Sequence, residues 1–279
     1  MISQKKEAMI IKVLVYFGTI VTLLILVSVV GYILIKGIPN LSPALFELEY
    51  NSENVSMLPA LVNTILMTLI SLLFAAPLGI FAAIYLVEYA SKGNRLVKIV
   101  RLTAETLSGI PYIIYGLFGM LFFVTALGLK ISLISGALTL SIMILPIIMR
   151  TTEEALIAVP IEYREGSFGL GAGKLRTVFK VVLPSAIPGI LAGVILSIGR
   201  IVGETAALIY TSGTVAEIPG SLFDSTRTLS VHMYTLSSEG LYTEQAYATA
   251  VVLLIIVVLI NALSSYIAKR IERRSYGKD

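Results

Sequence analysis

The sequence predicts an all-α, polytopic membrane protein with six transmembrane helices, and three observations predict it. The 279 residues are 57% hydrophobic and only 14% charged, with a mean hydropathy of +0.92, far from the averages of soluble domains. Apolar runs long enough to cross bilayer hydrocarbon, which takes about 20 helical residues, occur at roughly 13–35, 60–87, 107–128, 131–149, 185–211 and 246–268. The basic residues between them fall almost entirely in alternate connecting segments, as inserted helices require.

The first run follows Lys5, Lys6 and Lys12. It is longer than a signal-peptide core and no small-x-small cleavage site follows, so residues 1–36 are expected to form a short inner segment and a retained helix. The second run is long enough to tilt or to include an interfacial piece, and Pro77 is a candidate kink. The third and fourth are joined around Gly128-Leu129-Lys130, too short for anything but a tight helical hairpin. A polar loop, 151–184, separates the fourth run from the fifth, and a basic tail, 269–279, follows the sixth. Gly189 and Gly193 form a GxxxG pair suited to helix packing. Tyr16, Tyr112, Tyr210, Tyr247 and Tyr266, near span ends, are expected in the interfacial aromatic belt.

Orientation follows from charge. With an inner N-terminus, the inner segments hold Lys5, Lys6, Lys12, Lys92, Arg95, Lys98, Arg101, Arg150, Arg164, Lys174, Arg176, Lys180, Lys269, Arg270, Arg273, Arg274 and Lys278, most of the 21 basic residues. The outer segments hold Lys36, Lys130 and Arg227. The expectation is a multi-pass protein of the cytoplasmic (inner) membrane with both termini cytoplasmic.

Composition excludes several chemistries. There is no cysteine, and the single histidine, His232, has no clustered partners, so it reads as a loop or interface residue and no metal site is expected. A net charge of +4, distributed by topology, does not indicate nucleic acid. The tract Gly169-Leu-Gly-Ala-Gly-Lys174-Leu175 superficially resembles a phosphate-cradling loop. A Walker A loop, however, needs glycine where Phe168 stands and Ser or Thr where Leu175 stands, and no strand precedes it. No cofactor is expected to bind this chain.

Arg200 is the residue that apolar surroundings tolerate least. It falls about 22 Å into a helix starting near Ser185, where a guanidinium costs at least about 2.5–3.5 kcal/mol. Glu204 is at i+4, so both charges are expected on one helical face, able to pair, and Gly199 and Gly203 on a common face invite another helix. Two readings stay open: an ion pair that holds helices together, or a charged element lining a translocation path. The second suits an oxyanion, because a guanidinium fork donates parallel hydrogen bonds while a nearby glutamate keeps the ion from being trapped.

The polar island inside the loop has a fixed pattern: Glu165-Gly166-Ser167, three residues, Gly171, nine residues, then Val181-x-Leu183-Pro184. It resembles the EAA signature of bacterial ABC importer permeases, which implies a MetI-like helical bundle over 60–268 and a coupling loop that docks on ATPase subunits. Gly166 and Ser167 replace the usual alanines and Val181 the usual isoleucine. Asn63-Thr64, Ala76-Pro-Leu-Gly79, Ala82-Ala-Ile-Tyr-Leu-x-Glu88-Tyr89, Gly109-Ile-Pro111, Tyr115-Gly-Leu-Phe-Gly119, Gly199-Arg200-x2-Gly203-Glu204-Thr-Ala-Ala207 and Thr228-Leu-Ser-Val231 resemble phosphate permeases of the PstA type. Tyr112 departs from that pattern, which has serine after the proline.

The resemblance implies an assembly of this permease, a homologous C-type permease, two ATPase subunits that hold the ATP and magnesium, and an extracytoplasmic phosphate-binding protein. It implies that Arg200 and Glu204 lie on the phosphate path. A permease for molybdate or sulfate, and an ATP-independent secondary transporter, remain as alternatives.

Overall fold

In the computed structural model the backbone is described for residues 2–91 and 93–275, and side chains within 7–91, 93–263 and 265–267. Lys5, Lys6, Lys92, Lys269, Arg270, Arg273, Arg274 and Lys278, used above for orientation, therefore lie outside the described side chains.

Every regular element among the described residues is helical. Helix α1, Ile2–Gly37, is longer than the apolar run it contains. Two 3₁₀ turns lead to α2, Leu58–Ile84, which a π turn extends through Tyr89. Then come α3, Arg95–Ser108, and α4, Tyr112–Gly119, extended by a π segment to Ala126. Helix α5 spans Leu133–Ile157 and α6 spans Ile161–Gly169. Helix α7, Lys174–Thr177, runs through a π turn into α8, Leu183–Gly203, and α9 is Ala206–Thr211. Helices α10, Leu229–Glu239, and α11, Thr243–Ser275, complete the chain.

Five of these stretches are single helices long and apolar enough to cross a membrane, and the sixth is a bent pair. The run expected at 107–128 is not a straight span. α3 and α4 meet at 105°, because Pro111 has no N–H to continue the helix and Ile110 before it is biased out of the α region. α3 is amphipathic, with Leu96, Ile99 and Leu102 exposed beside Arg95, Lys98 and Arg101, the pattern of a helix lying in a membrane interface. The hairpin turn is as tight as expected, with Gly128 and Lys130 both in the left-handed region (φ 67° and 61°).

Helix α5 is the axis of the bundle: 72% of its apolar stretch is buried, against none of α1. Leu133, Ala137, Leu140, Ile144 and Ile148 recur at helical spacing and pack on Met67 and Ala75 of α2, Tyr115 of α4, Ile201 of α8 and Leu208 of α9. The GxxxG pair on α8 does bring helices together. A Cβ on Gly189 would come within 2.6 Å of the Ala155 Cβ, and one on Gly193 would overlap the Thr151 side chain. α1 touches the rest mainly through α11, where Gly37 abuts Tyr247 and the Tyr32 and Tyr247 rings meet edge-on at 5.7 Å.

The fifth span also differs from expectation. It begins at Lys174 rather than Ser185 and breaks at Glu204, whose backbone is extended (φ −73°, ψ 130°). Arg200 and Glu204 therefore do not share a helical face.

Candidate functional site

The break in the fifth span sets the electrostatics. Arg200 falls in the last turn of α8, where the carbonyl end of the helix dipole favours a cation. Glu204 precedes α9, and its Oε1 accepts the Ala207 N–H at 3.0 Å, so its carboxyl caps the amide end of the next helix. Arg200 and Glu204 each meet a helix terminus rather than the other, and they form no ion pair. Irregular backbone at this depth is tolerated only inside protein or along a cavity.

The two residues then part. Glu204 is 5% exposed, and its carbonyl accepts a hydrogen bond from Ser230 Oγ. Arg200 stays on an open face, with Gly199 and Gly203 beside it having no atom within 4 Å of where a Cβ would sit. Its Nη1 donates to the Tyr112 hydroxyl, with the guanidinium carbon 5.6 Å from the ring centre, off its hydroxyl end. Tyr112, expected in the interfacial aromatic belt, is engaged with the arginine. The first residue of α4, it follows the bend directly, and the Tyr115 hydroxyl spans that bend by donating to the Leu107 carbonyl at 2.7 Å. Gly116 seats α4 on α9, with the Ala207 Cα 2.7 Å from a notional Cβ.

The outer-loop segment noted in the sequence closes over this region. Leu229 N–H donates to Thr64 Oγ1 at 2.8 Å, and Asn63 Nδ2 reaches the carbonyls of Glu217 and Arg227 at 2.9 and 3.2 Å. Asn63-Thr64, Glu204 and Thr228–Val231, remote in sequence, are therefore one hydrogen-bonded unit. Close by, the Arg227 guanidinium lies 4.7 Å from the Tyr50 ring centre, and His232 meets that ring edge-on at 6.1 Å. His232 is fully buried in α10, not in a loop or at an interface. Burial and the neighbouring Arg227 push its pKa down to about 3. Among the described residues no group of His, Asp or Glu is placed to hold a metal ion.

About 24 Å away along α8, at 1.5 Å per residue, lies the loop with the Glu165–Pro184 pattern. Glu165, Gly166 and Ser167 fall in α6, with Glu165 and Gly166 exposed. Gly171 ends that helix at φ 82°, with Ala172 N–H to Ser167 O at 3.1 Å and Gly171 N–H to Phe168 O at 2.9 Å. That Schellman geometry explains the glycine physically, since a side chain is strained there. Leu170 at the turn is 92% exposed. Ser167 Oγ meets Thr177 Oγ1 at 2.8 Å, tying α6 to α7. Val181 and Leu183 are half-buried and Pro184 is exposed. Pro184 cannot donate to Lys180 O, and the π turn over Val178–Val182 falls at that missing bond.

The sequence did not reveal how this loop is anchored. Arg164 Nη2 and Nε donate to Glu88 Oε1 at 2.6 and 3.1 Å, while Nη1 and Nη2 reach Val159 O and Leu156 O, each at 2.9 Å. Both residues stood in the sequence as a basic loop residue and part of a span motif. Their 76-residue separation hid the pair.

Comparison with known proteins agrees with this architecture. Residues 75–275 match the family described as binding-protein-dependent transport system inner membrane component. The chain is 32% identical over 273 residues to a probable ABC transporter permease, YqgI, of Bacillus subtilis, covering 90% of this chain and 91% of that one. It is 34% identical over 220 residues to the phosphate transport system permease protein PstA 1 of Mycobacterium tuberculosis, covering 77% and 71%. Its fold matches a chain of a bacterial alginate ABC transporter in complex with a pentasaccharide-bound periplasmic protein, with TM-score 0.67, 15% identity and coverage of 92% and 94%. A MetNI methionine ABC transporter chain matches with TM-score 0.59, 22% identity and coverage of 77% and 94%. This chain belongs to the inner-membrane permease components of binding-protein-dependent ABC importers, with phosphate permeases of the PstA type among its relatives.

Proposed function

We propose that the chain forms part of the path for inorganic phosphate across the cytoplasmic membrane in an ATP-driven importer, with Arg200 as the anion's contact. The observation that carries this reading is an arginine at a break in a span, on an open face, with no ion pair among the described residues. A guanidinium in that position attracts an oxyanion and offers it paired donors. The PstA-type relatives support phosphate as the ion. Glu204 belongs to the path indirectly, by fixing the break and the start of α9.

The exposed face around Arg200, Gly199 and Gly203 awaits a second permease, a homologous C-type subunit, to close the path. At the other end, the exposed α6 and Leu170 dock on an ATPase subunit, one of two that bind the ATP and magnesium. Displacing α6 pulls on α2 through the Arg164–Glu88 pair and on α8 through the continuous helix from Lys174. The distribution of basic residues supports a cytoplasmic position for this loop and both termini, with an extracytoplasmic binding protein delivering the ion opposite.

The test is uptake of labelled phosphate by the importer reconstituted with its ATPase and binding protein, with sulfate and molybdate as competitors. Phosphate uptake that requires ATP and resists both competitors is expected. Preferential inhibition by either competitor reassigns the substrate. Uptake by the purified chain without ATP overturns the importer reading.

A further inference from the structure

We propose that Tyr112 is the second half of the anion site: its hydroxyl holds the Arg200 guanidinium and serves oxyanions that carry a hydrogen, such as phosphate and arsenate, better than fully ionised ones such as sulfate. The inference rests on the reading of Arg200 as the anion contact and asks what else the ion meets there.

The argument is an inventory of donors and acceptors. A phenol has one O–H donor and two acceptor lone pairs, whereas a guanidinium only donates. Arg200 Nη1–H occupies one lone pair of the Tyr112 oxygen, and that oxygen has no other hydrogen bond among the described residues. Since Arg200 cannot accept, the phenolic proton and the second lone pair stay available on the open face. The guanidinium draws charge from the phenol and strengthens it as a donor.

An arginine alone satisfies sulfate, which only accepts. Phosphate at neutral pH accepts and also carries at least one P–OH that must find an acceptor. Glu204 does not supply it, being 5% exposed with Oε1 engaged by Ala207 N–H at 3.0 Å. The second lone pair of Tyr112 is the acceptor this chain places beside Arg200. The same hydrogen bond from Arg200 Nη1 holds the guanidinium in place before the ion arrives. A serine here, as the phosphate-permease pattern has it, keeps a hydroxyl but loses the reach that brings it to Arg200.

The experiment measures equilibrium binding of labelled inorganic phosphate to the purified importer without its binding protein, with sulfate as competitor, for the wild type, Tyr112→Phe, Tyr112→Ser and Arg200→Gln. Co-purification of the ATPase and its stimulation by binding protein check assembly. The wild type is expected to prefer phosphate by about 10-fold, the scale of one hydrogen bond. Tyr112→Phe brings that ratio to about one while phosphate still binds. Tyr112→Ser, whose hydroxyl stops short of the guanidinium, is expected to lose the preference as Tyr112→Phe does. A merely structural tyrosine would change both anions equally in both variants. Wild-type binding without preference, or an undiminished preference in Tyr112→Phe, overturns the proposal. If Arg200→Gln loses both anions while Tyr112→Phe matches the wild type, only this inference fails. If Arg200→Gln binds phosphate normally, the reading of Arg200 fails with it.

Discussion

Arg164 and Arg200 stand at opposite ends of the segment from α6 to α8, and their surroundings make opposite use of the same side chain. Arg164 is mostly buried and spends its guanidinium on four hydrogen bonds, two to Glu88 and two to carbonyls at the end of α5. Arg200 is half-exposed and has one tyrosine. A guanidinium with most of its donors matched is a fastener; one left with donors on an open face is a site. Charge count alone does not separate the two, because both are basic residues within four positions of a glutamate in the sequence pattern. The partners decide.

The largest expected effect breaks the fastener. Arg164→Ala leaves the mostly buried Glu88 carboxylate unpaired and is expected to cost about 3–5 kcal/mol of stability, read as a fall in thermal unfolding temperature in detergent. Arg200→Gln is expected to leave that temperature nearly unchanged while lowering phosphate uptake by about 10- to 150-fold, the scale of charged hydrogen bonds. A stability loss for Arg200→Gln as large as for Arg164→Ala would erase the comparison.

A third cation sharpens it through pH. Arg227 is 4% exposed and bears on His232, whose pKa is lowered from 6.5 to about 3. Below pH 6.5 the unfolded chain takes up a proton that the folded chain refuses, so stability falls as pH drops from 6.5 towards 3. The loss is about 2 kcal/mol at pH 5. Thermal unfolding across pH 7 to 4 measures it, and His232→Gln is expected to flatten the profile. An unaltered profile would mean His232 is protonated in the fold.

The smaller effects concern glycines on the two halves of α8. Gly193→Val forces a side chain into Thr151 and is expected to cost about 1–3 kcal/mol. Gly199→Ala meets nothing within 4 Å and is expected to gain up to about 1 kcal/mol from helix propensity. If Gly199→Ala nevertheless lowers uptake, the open face is occupied in the assembled importer, as the site reading requires.

The α6 pattern was legible because local rules wrote it. Gly171 must be glycine at φ 82°, and the exposed helix before it follows from short-range spacing. Arg200 was legible as misplaced in an apolar run, but its pairing with Glu204 was not the one found. An i, i+4 argument holds only while the helix continues, and here it stops at Gly203.

The sequence by itself determined the number of apolar runs, the tight turn at Gly128–Lys130, the packing of Gly189 and Gly193, and the family. These depend on composition and on neighbours within a few residues, so periodicity records them. Only the tertiary structure decided that α3 lies at 105° to α4, that Arg164 holds Glu88, and that Tyr112 rather than Glu204 faces Arg200. Those outcomes join residues far apart in the chain, and they depend on where a helix breaks and what then closes over the break.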